Sequence, residues 1–505
     1  MHGKPKSSCI NLMKVNMKKM ILAISVALLC VNVKAQIVYA DYSDPDVCED
    51  GNGGYWLTAS SFQCAPGLPI LHSDDLAHWK LVNYALQALV PADRYADVQH
   101  GCGVWAPCIR RHGDTYYIYW GDPDYGIFMV KTKNPAGTWD APVLVVEGKG
   151  LIDPSPLWDD DDRMYLVNGW ANSRCGFNSV LTVRELSADG TVALSNPVLV
   201  YDGLSEGNHT IEGPKFYHRD GYYYILAPAG GVEKGYQLAL RSKSVYGPYE
   251  SKKVFDREGI HQGGWVDGRF VCFQERGAYG RVLHLLDVGM KDGWPMMRVS
   301  KADKPCHLAY DAPALAYQWH SNYDQLYGFA SHDGCRVYGH YVDSSFVNFW
   351  SVPNLYMKKF EMETFTDTLS ATVTAVADGQ QSGFIIMGRD YARLAFELSD
   401  GEFVIKYVTC NDADKGKVER TETLAKVKAR KYNAGAKDCY ACNVDFRISC
   451  AKGAVCSLSY SVDGGPFMSI ANAFQAREGK WIGAKYGVFS IAKQGSGRGW
   501  IDLNY

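Results

Sequence analysis

Apolar and polar positions along this chain alternate in short runs with a period near two, and helical periodicity is nearly absent, so the pattern predicts strands almost throughout. One arrangement recurs five times. A Pro- or Gly-marked entry leads into a short apolar strand, then a polar turn of Asp, Gly or His, then a second strand rich in aromatics. The repeat opens at Asp44-Pro45, Ala106-Pro107, Asp153-Pro154, Gly213-Pro214 and, more loosely, in the Gly-rich segment around Gly264. The anchors Pro45, Pro107, Pro154, Pro214 and Gly264 lie 62, 47, 60 and 50 residues apart, which is the scale of a four-stranded propeller blade. Each unit reads as a β-hairpin with a tight turn. Five such blades around a central axis close the repeats without leaving long exposed edges.

From about residue 310 the repeat stops. A different β texture follows, with alternating runs over 444–448 and 458–462 and turn pairs at Asp378-Gly379, Asp400-Gly401 and Asp463-Gly464. Half-buried antiparallel strands of this kind predict a sandwich. The expected fold is therefore all-β: a five-bladed β-propeller over residues 36–309 followed by a β-sandwich domain over 310–505. A chain of 505 residues is also too long for one core to keep growing.

The N-terminus departs from this pattern. Lys18 and Lys19 precede an apolar run over 21–31 that ends in Val33-Lys34-Ala35. The run is short for a membrane span and closes on a small residue, so residues 1–35 read as a signal peptide, with a mature chain beginning near Gln36. A lipid-modified Cys30 is the rival reading, against which stands the bulk of Leu29. Either way the protein is expected to be secreted or periplasmic, without a membrane span.

Composition adds exclusions. With 47% hydrophobic and 21% charged residues and a net charge of −3, the chain is an ordinary globular protein with no basic excess for a phosphate backbone, so nucleic acid is not an expected partner. Of 15 cysteines, Cys9 and Cys30 fall in the leader, leaving 13, so at least one thiol stays unpaired. A bridge among Cys410, Cys439, Cys442, Cys450 and Cys456 is allowed by compartment and spacing. Cys439-x-x-Cys442 lacks a second pair at ligand spacing and reads as structural.

In a propeller the innermost strand of each blade runs along the axis, so equivalent repeat positions converge where ligands collect. Just before the anchor the five units carry Asp44, Ala106, Asp153, Gly213 preceded by Glu212, and a Gly-rich segment headed by His261. A single Asp-Pro is usually a turn device. Three acids in matching places are different, because like charges around a narrow axis repel and a purely structural site has little reason to hold them. Asp122 and Asp124 follow a second strand and rank below Asp44, and the acidic run 159–162 reads as a solvated turn.

These residues resemble glycoside hydrolase family 43. The likeness is carried by Tyr42-Ser-Asp-Pro-Asp-Val47, Pro66-Gly-Leu-Pro-Ile-Leu-His-Ser73, Val104-Trp-Ala-Pro107, Ile152-Asp-Pro-Ser155, Ile211-Glu-Gly-Pro214 and the stretch from Phe273 to Arg281. The segments from Leu315 to Trp319 and from Gly383 to Tyr391 resemble the C-terminal sandwich of its xylosidase and arabinofuranosidase branch. The resemblance implies that Asp44 is a general base, Glu212 a general acid, and Asp153 the acid that orients Glu212 and raises its pKa. Hydrolysis with inversion needs such a pair of carboxyls, with room between them for the sugar and a water.

Arg281 is expected to contact sugar hydroxyls or to balance the acids, and Trp105 and Trp265 are candidate stacking faces. A lone histidine is usually a core residue. The resemblance nevertheless leaves His261 as a substrate contact or as the neighbour of a structural Ca²⁺, with no cofactor required for the chemistry. The expected activity is exo-acting, inverting release of a terminal α-L-arabinofuranose or β-D-xylose from hemicellulose-derived oligosaccharides, with a slight lean to arabinofuranose. The alternative is a non-catalytic carbohydrate-binding propeller, whose mark would be a lost acid; none is lost.

Overall fold

Each repeat folds as a four-stranded antiparallel sheet, with its first strand innermost. In the computed structural model, which describes residues 36–505 apart from 258, 301–306, 323–327, 331–332 and 435–436, these innermost strands are Asp46–Glu49, Trp105–His112, Leu151–Trp158, Lys215–Arg219 and Ile260–Val266. The predicted leader, residues 1–35, lies outside the described residues. Strands on the axis are walled by neighbours on both sides: every residue of Ile260–Val266 is buried, and all of Leu151–Trp158 but the last. The outermost strand of the second blade, Val143–Glu147, instead leaves Val143 and Leu144 exposed.

The ring is closed by the first described residues. Gln36–Val38 pairs antiparallel with Arg281–Lys291 of the fifth blade, placing Gln36 opposite His284 and Val38 opposite Leu283. Ile37 and Val38 thereby enter the same buried cluster as Leu57, Val271 and Leu283, which joins the first blade to the last.

The second domain stacks two large antiparallel sheets around Phe384, Phe396, Phe446 and Val488. Tyr39 and Tyr279 of the propeller are buried in this same cluster. The seam is also hydrogen-bonded: Ala65 and Trp319 exchange backbone bonds of 3.2 and 2.6 Å, and the Ala454 amide donates to the Tyr279 hydroxyl at 2.7 Å. Strand Ala309–Tyr310 runs parallel to Lys80–Leu86 on the outside of the first blade, so the connection between the domains is itself tied to the propeller.

Every described cysteine is an unpaired thiol, so the bridge allowed among Cys410, Cys439, Cys442, Cys450 and Cys456 is not formed. All five are buried in the sandwich, where they pack as small apolar side chains.

Closure by three residues makes the seam sensitive to its apolar contacts. Ile37→Ala is expected to cost about 2–5 kcal/mol, read as a lower urea midpoint of the propeller transition with little change in its slope.

Candidate active site

The entry of every innermost strand turns a tight corner. Asp44, Ala106, Asp153, Gly213 and Gln262 all have left-handed backbone, with φ of 52°, 38°, 55°, 58° and 48°. For the four that carry a Cβ this conformation costs roughly 1–2 kcal/mol each, a strain of the kind that gathers at functional sites. At Ala106, Asp153 and Gln262 the ladder register also slips, so one extra residue bulges out of the sheet. A bulge re-aims a side chain, and the effect is visible here: Asp44, Ala106, Asp153 and Gln262 line one cavity, with Glu212 beside them. The fifth repeat therefore aligns at Gln262-Gly263, one residue earlier than Gly264 suggests.

Gly213 explains why the fourth acid is displaced. A Cβ there would stand 2.7–2.9 Å from the Gln262 side chain and displace it, which favours glycine at this corner, and the carboxyl comes from the preceding residue.

The cavity has a volume of about 130 Å³ and is completed by Phe62, Trp105, Ile152, Val232, Arg281 and Trp481. Asp44 accepts from Ser60 Oγ at 2.7 Å and from the Arg281 guanidinium at 3.0 and 3.2 Å. Ser60 Oγ in turn accepts from the Ala106 amide at 2.8 Å, which ties the first blade to the second. Of the two roles considered for Arg281, this geometry supplies charge balance, while its place in the lining keeps it within reach of a ligand. Asp153 accepts the Gly213 amide at 2.7 Å, fixing the backbone next to Glu212.

Burial, then the neighbouring Asp153 and Asp44 carboxylates, push the Glu212 carboxyl up to about 8, with Arg281 opposing. Burial likewise raises Asp153, to about 6, against the pull of the Gly213 amide. Glu212 is thus the last of the pair to lose its proton, and the site presents a neutral acid above a negative neighbour.

Trp105 lines the cavity with its indole N–H held by the Gly101 carbonyl at 2.9 Å. Two residues expected at the substrate stand elsewhere. Trp265 lies toward the other end of the axis, in a separate cavity with Arg110, Arg111, Tyr217 and Arg219, where the Arg219 guanidinium covers its ring at 4.2 Å. Its position follows from the strand's direction: three residues beyond the corner, the chain has already run down the axis. His261 is buried one residue before the corner, its ring edge against Phe273 at 5.1 Å, and it does not line the cavity. Burial and Arg281 lower its pKa to about 3, so the ring is neutral.

A calcium ion takes six to eight oxygen ligands. Among the described residues no three His, Cys, Asp or Glu side chains are arranged to hold a metal ion, and His261 offers only imidazole nitrogen. Side chains alone do not build a calcium site beside it. Asp122 is held by the Tyr95 hydroxyl at 2.5 Å, outside the cavity.

Phe62, Val232 and Trp481 also line the cavity without being marked by the repeat, and Trp481 comes from the sandwich. Its loop is docked by Asp41, which accepts the Gly483 amide at 2.9 Å through one oxygen and the Arg281 amide at 2.9 Å through the other. Lys359 of the sandwich adds a bond to the Asp41 carbonyl at 2.5 Å. One buried aspartate therefore fastens the second domain, the arginine beside Asp44 and the first blade together.

Comparison with known proteins agrees with this architecture. The family described as Glycosyl hydrolases family 43 matches residues 34–295, and Beta xylosidase C-terminal Concanavalin A-like domain matches 309–505. A Formosa agariphila protein named Beta-xylosidase is 25% identical over 93% of this chain and 89% of its own length. A Bacteroides ovatus protein named Non-reducing end alpha-L-arabinofuranosidase BoGH43B is 37% identical over 42% of this chain and 39% of its own. Over a stretch of 36% identity to a Xylanibacter ruminicola protein, the chain spans 58% of that relative's length. The solved structure described as Bacteroides ovatus Xyloglucan PUL GH43B superposes with a TM-score of 0.74 at 22% identity, covering 93% of this chain and 98% of that one. With both domains matched in order, the chain belongs to glycoside hydrolase family 43.

Proposed function

We propose that the protein is an exo-acting, inverting glycosidase that releases a terminal pentose, α-L-arabinofuranose or β-D-xylose, from hemicellulose-derived oligosaccharides. The observation that carries this reading is the unequal environment of the acids in one small cavity. Glu212 keeps its proton near neutral pH and acts as general acid on the leaving oxygen, while Asp44, held by Ser60 and Arg281, acts as general base on a water. Asp153 keeps Glu212 oriented through the Gly213 amide and disfavours its ionisation.

The size and wall of the cavity support attack at a chain end. At about 130 Å³ the cavity is small for a ligand site, which suits one terminal sugar more than an extended run of them. Trp481 stands across it from the sandwich, 5.6 Å from the Arg281 guanidinium. The name of the Bacteroides ovatus relative supports arabinofuranose and that of the Formosa agariphila relative xylose; the slight lean to arabinofuranose stands. The leader over residues 1–35 supports a secreted or periplasmic protein.

Proton-resolved NMR of the first product released from nitrophenyl pentosides tests the mechanism: inversion gives the opposite anomer at once, whereas retention overturns it. Glu212→Gln should lower kcat on natural linkages by about 10²–10⁴-fold and spare an activated aryl glycoside; equal loss on both would remove Glu212 from the acid role. With Glu212 raised, kcat/KM should fall as pH rises through about 8. The sign for stability is the same: between the unfolded value near 4.5 and the folded one, the native state holds a proton that the unfolded state has lost, so wild-type stability drops as pH rises. Glu212→Gln should accordingly melt higher than wild type at pH 7 and lose that advantage near pH 4. Trp481→Ala should raise KM for aryl pentosides by about tenfold, the weight of one aromatic contact.

A further inference from the structure

Below the cavity the axis is filled by polar side chains, and their charges can be matched one against another. Asp44 is paired with Arg281 at 3.0 Å, and Asp46 with Arg110 at 2.5 Å. Buried at this level are also Asp153, in the wall of the cavity, and Lys215, at the start of the fourth blade's innermost strand. Lys215 is 0% exposed, an unusual state for an ammonium group. Its Nζ donates to the Pro107 carbonyl at 3.0 Å, and among the described residues no carboxylate oxygen lies within ion-pair distance of it. One carbonyl cannot satisfy three donors and a full charge.

The direction of the side chain is informative. Lys215 leaves blade four and ends on a carbonyl of blade two, and blade three, which carries Asp153, lies between them in the ring. Pro107 is one residue below Ala106, the corner equivalent to Asp153, so the ammonium ends just under the level of the acids.

We propose that Lys215 is the buried counter-charge of Asp153, a positioning residue that keeps Asp153 negative and, through it, keeps Glu212 protonated as the general acid. With two anions above and two cations beside and below, Asp44 and Arg281, Asp153 and Lys215, the neutral member of the set is Glu212. The electrostatics run the same way: the Lys215 charge lowers Asp153, opposing burial, but is not among the main influences on Glu212. The Cys108 thiol also faces Lys215, and on its own account the Asp46–Arg110 pair; the groups facing Asp153 are Asp44, Glu212 and Arg281. This inference rests on Glu212 being the acid.

The test is the pH profile of kcat/KM on a substrate with a poor leaving group. Lys215→Met should let Asp153 take up a proton and move the basic limb down by about one pH unit, with KM nearly unchanged. A folded Lys215→Met with the basic limb in place overturns the proposal. Should that variant fail to fold, Lys215→Gln keeps a donor for the Pro107 carbonyl without the charge and gives the same reading. Asp153→Asn and the Asp153→Asn/Lys215→Met double variant supply the decisive pair: the two should share one basic limb, because without Asp153 the lysine has nothing to act through. A further shift in the double variant would mean that Lys215 acts on Glu212 directly or only by packing. Failure of the catalytic reading looks different, since wild type would then show no basic limb that Glu212→Gln abolishes.

Discussion

Three carboxyl groups are forced toward a single narrow axis, and their mutual repulsion is the constraint that organises the rest of this molecule. Left alone, such a cluster would either spread apart or protonate at random. Here the repulsion is apportioned. Arg281 lies against Asp44, the Gly213 amide holds Asp153, and Glu212, half-buried beside the other two carboxyls, is the group that takes the proton. The asymmetry that hydrolysis requires is thus a property of where cations and amides sit, rather than of the acids themselves.

What holds the acids in place is backbone geometry repeated fivefold. Each innermost strand begins with a left-handed corner, and the strain of those corners is borne by a ring in which the inner strands of the third and fifth blades are buried almost end to end. A rigid wall allows an unfavourable local conformation to persist, and the corners convert five separate loops into one converging set of side chains. The hydrogen bonds from Ser60 to Asp44 and from Ala106 to Ser60 then link consecutive blades at that level.

Much of this is legible in the sequence, because a propeller writes its symmetry into the chain. The Asp-Pro, Ala-Pro and Gly-Pro openings located four corners, and three acids at matching places located the site. The fifth blade was harder: without a proline, the Gly263-Gly264 pair offered two registers, and a one-residue difference sends Gln262 rather than a glycine into the cavity. Trp265 and His261 were misplaced for the same reason, since the repeat marks the corner but not how quickly the strand leaves it. Trp481 could not have been found by repetition at all. It belongs to a domain with no such period, and only the folded seam brings residues more than 400 positions apart together at Asp41.

That aspartate has a consequence for modularity. Sandwich and propeller match separate families, as if they were exchangeable parts, yet Asp41 spends one carboxylate oxygen on each side of the seam and its carbonyl on Lys359. A chimera that swapped in a foreign sandwich would strip an interior acid of partners three residues from Asp44. Recombination of these halves is therefore viable only when the docking loop travels with its receptor, and the two domains should be inherited as a unit even though they fold as distinct layers.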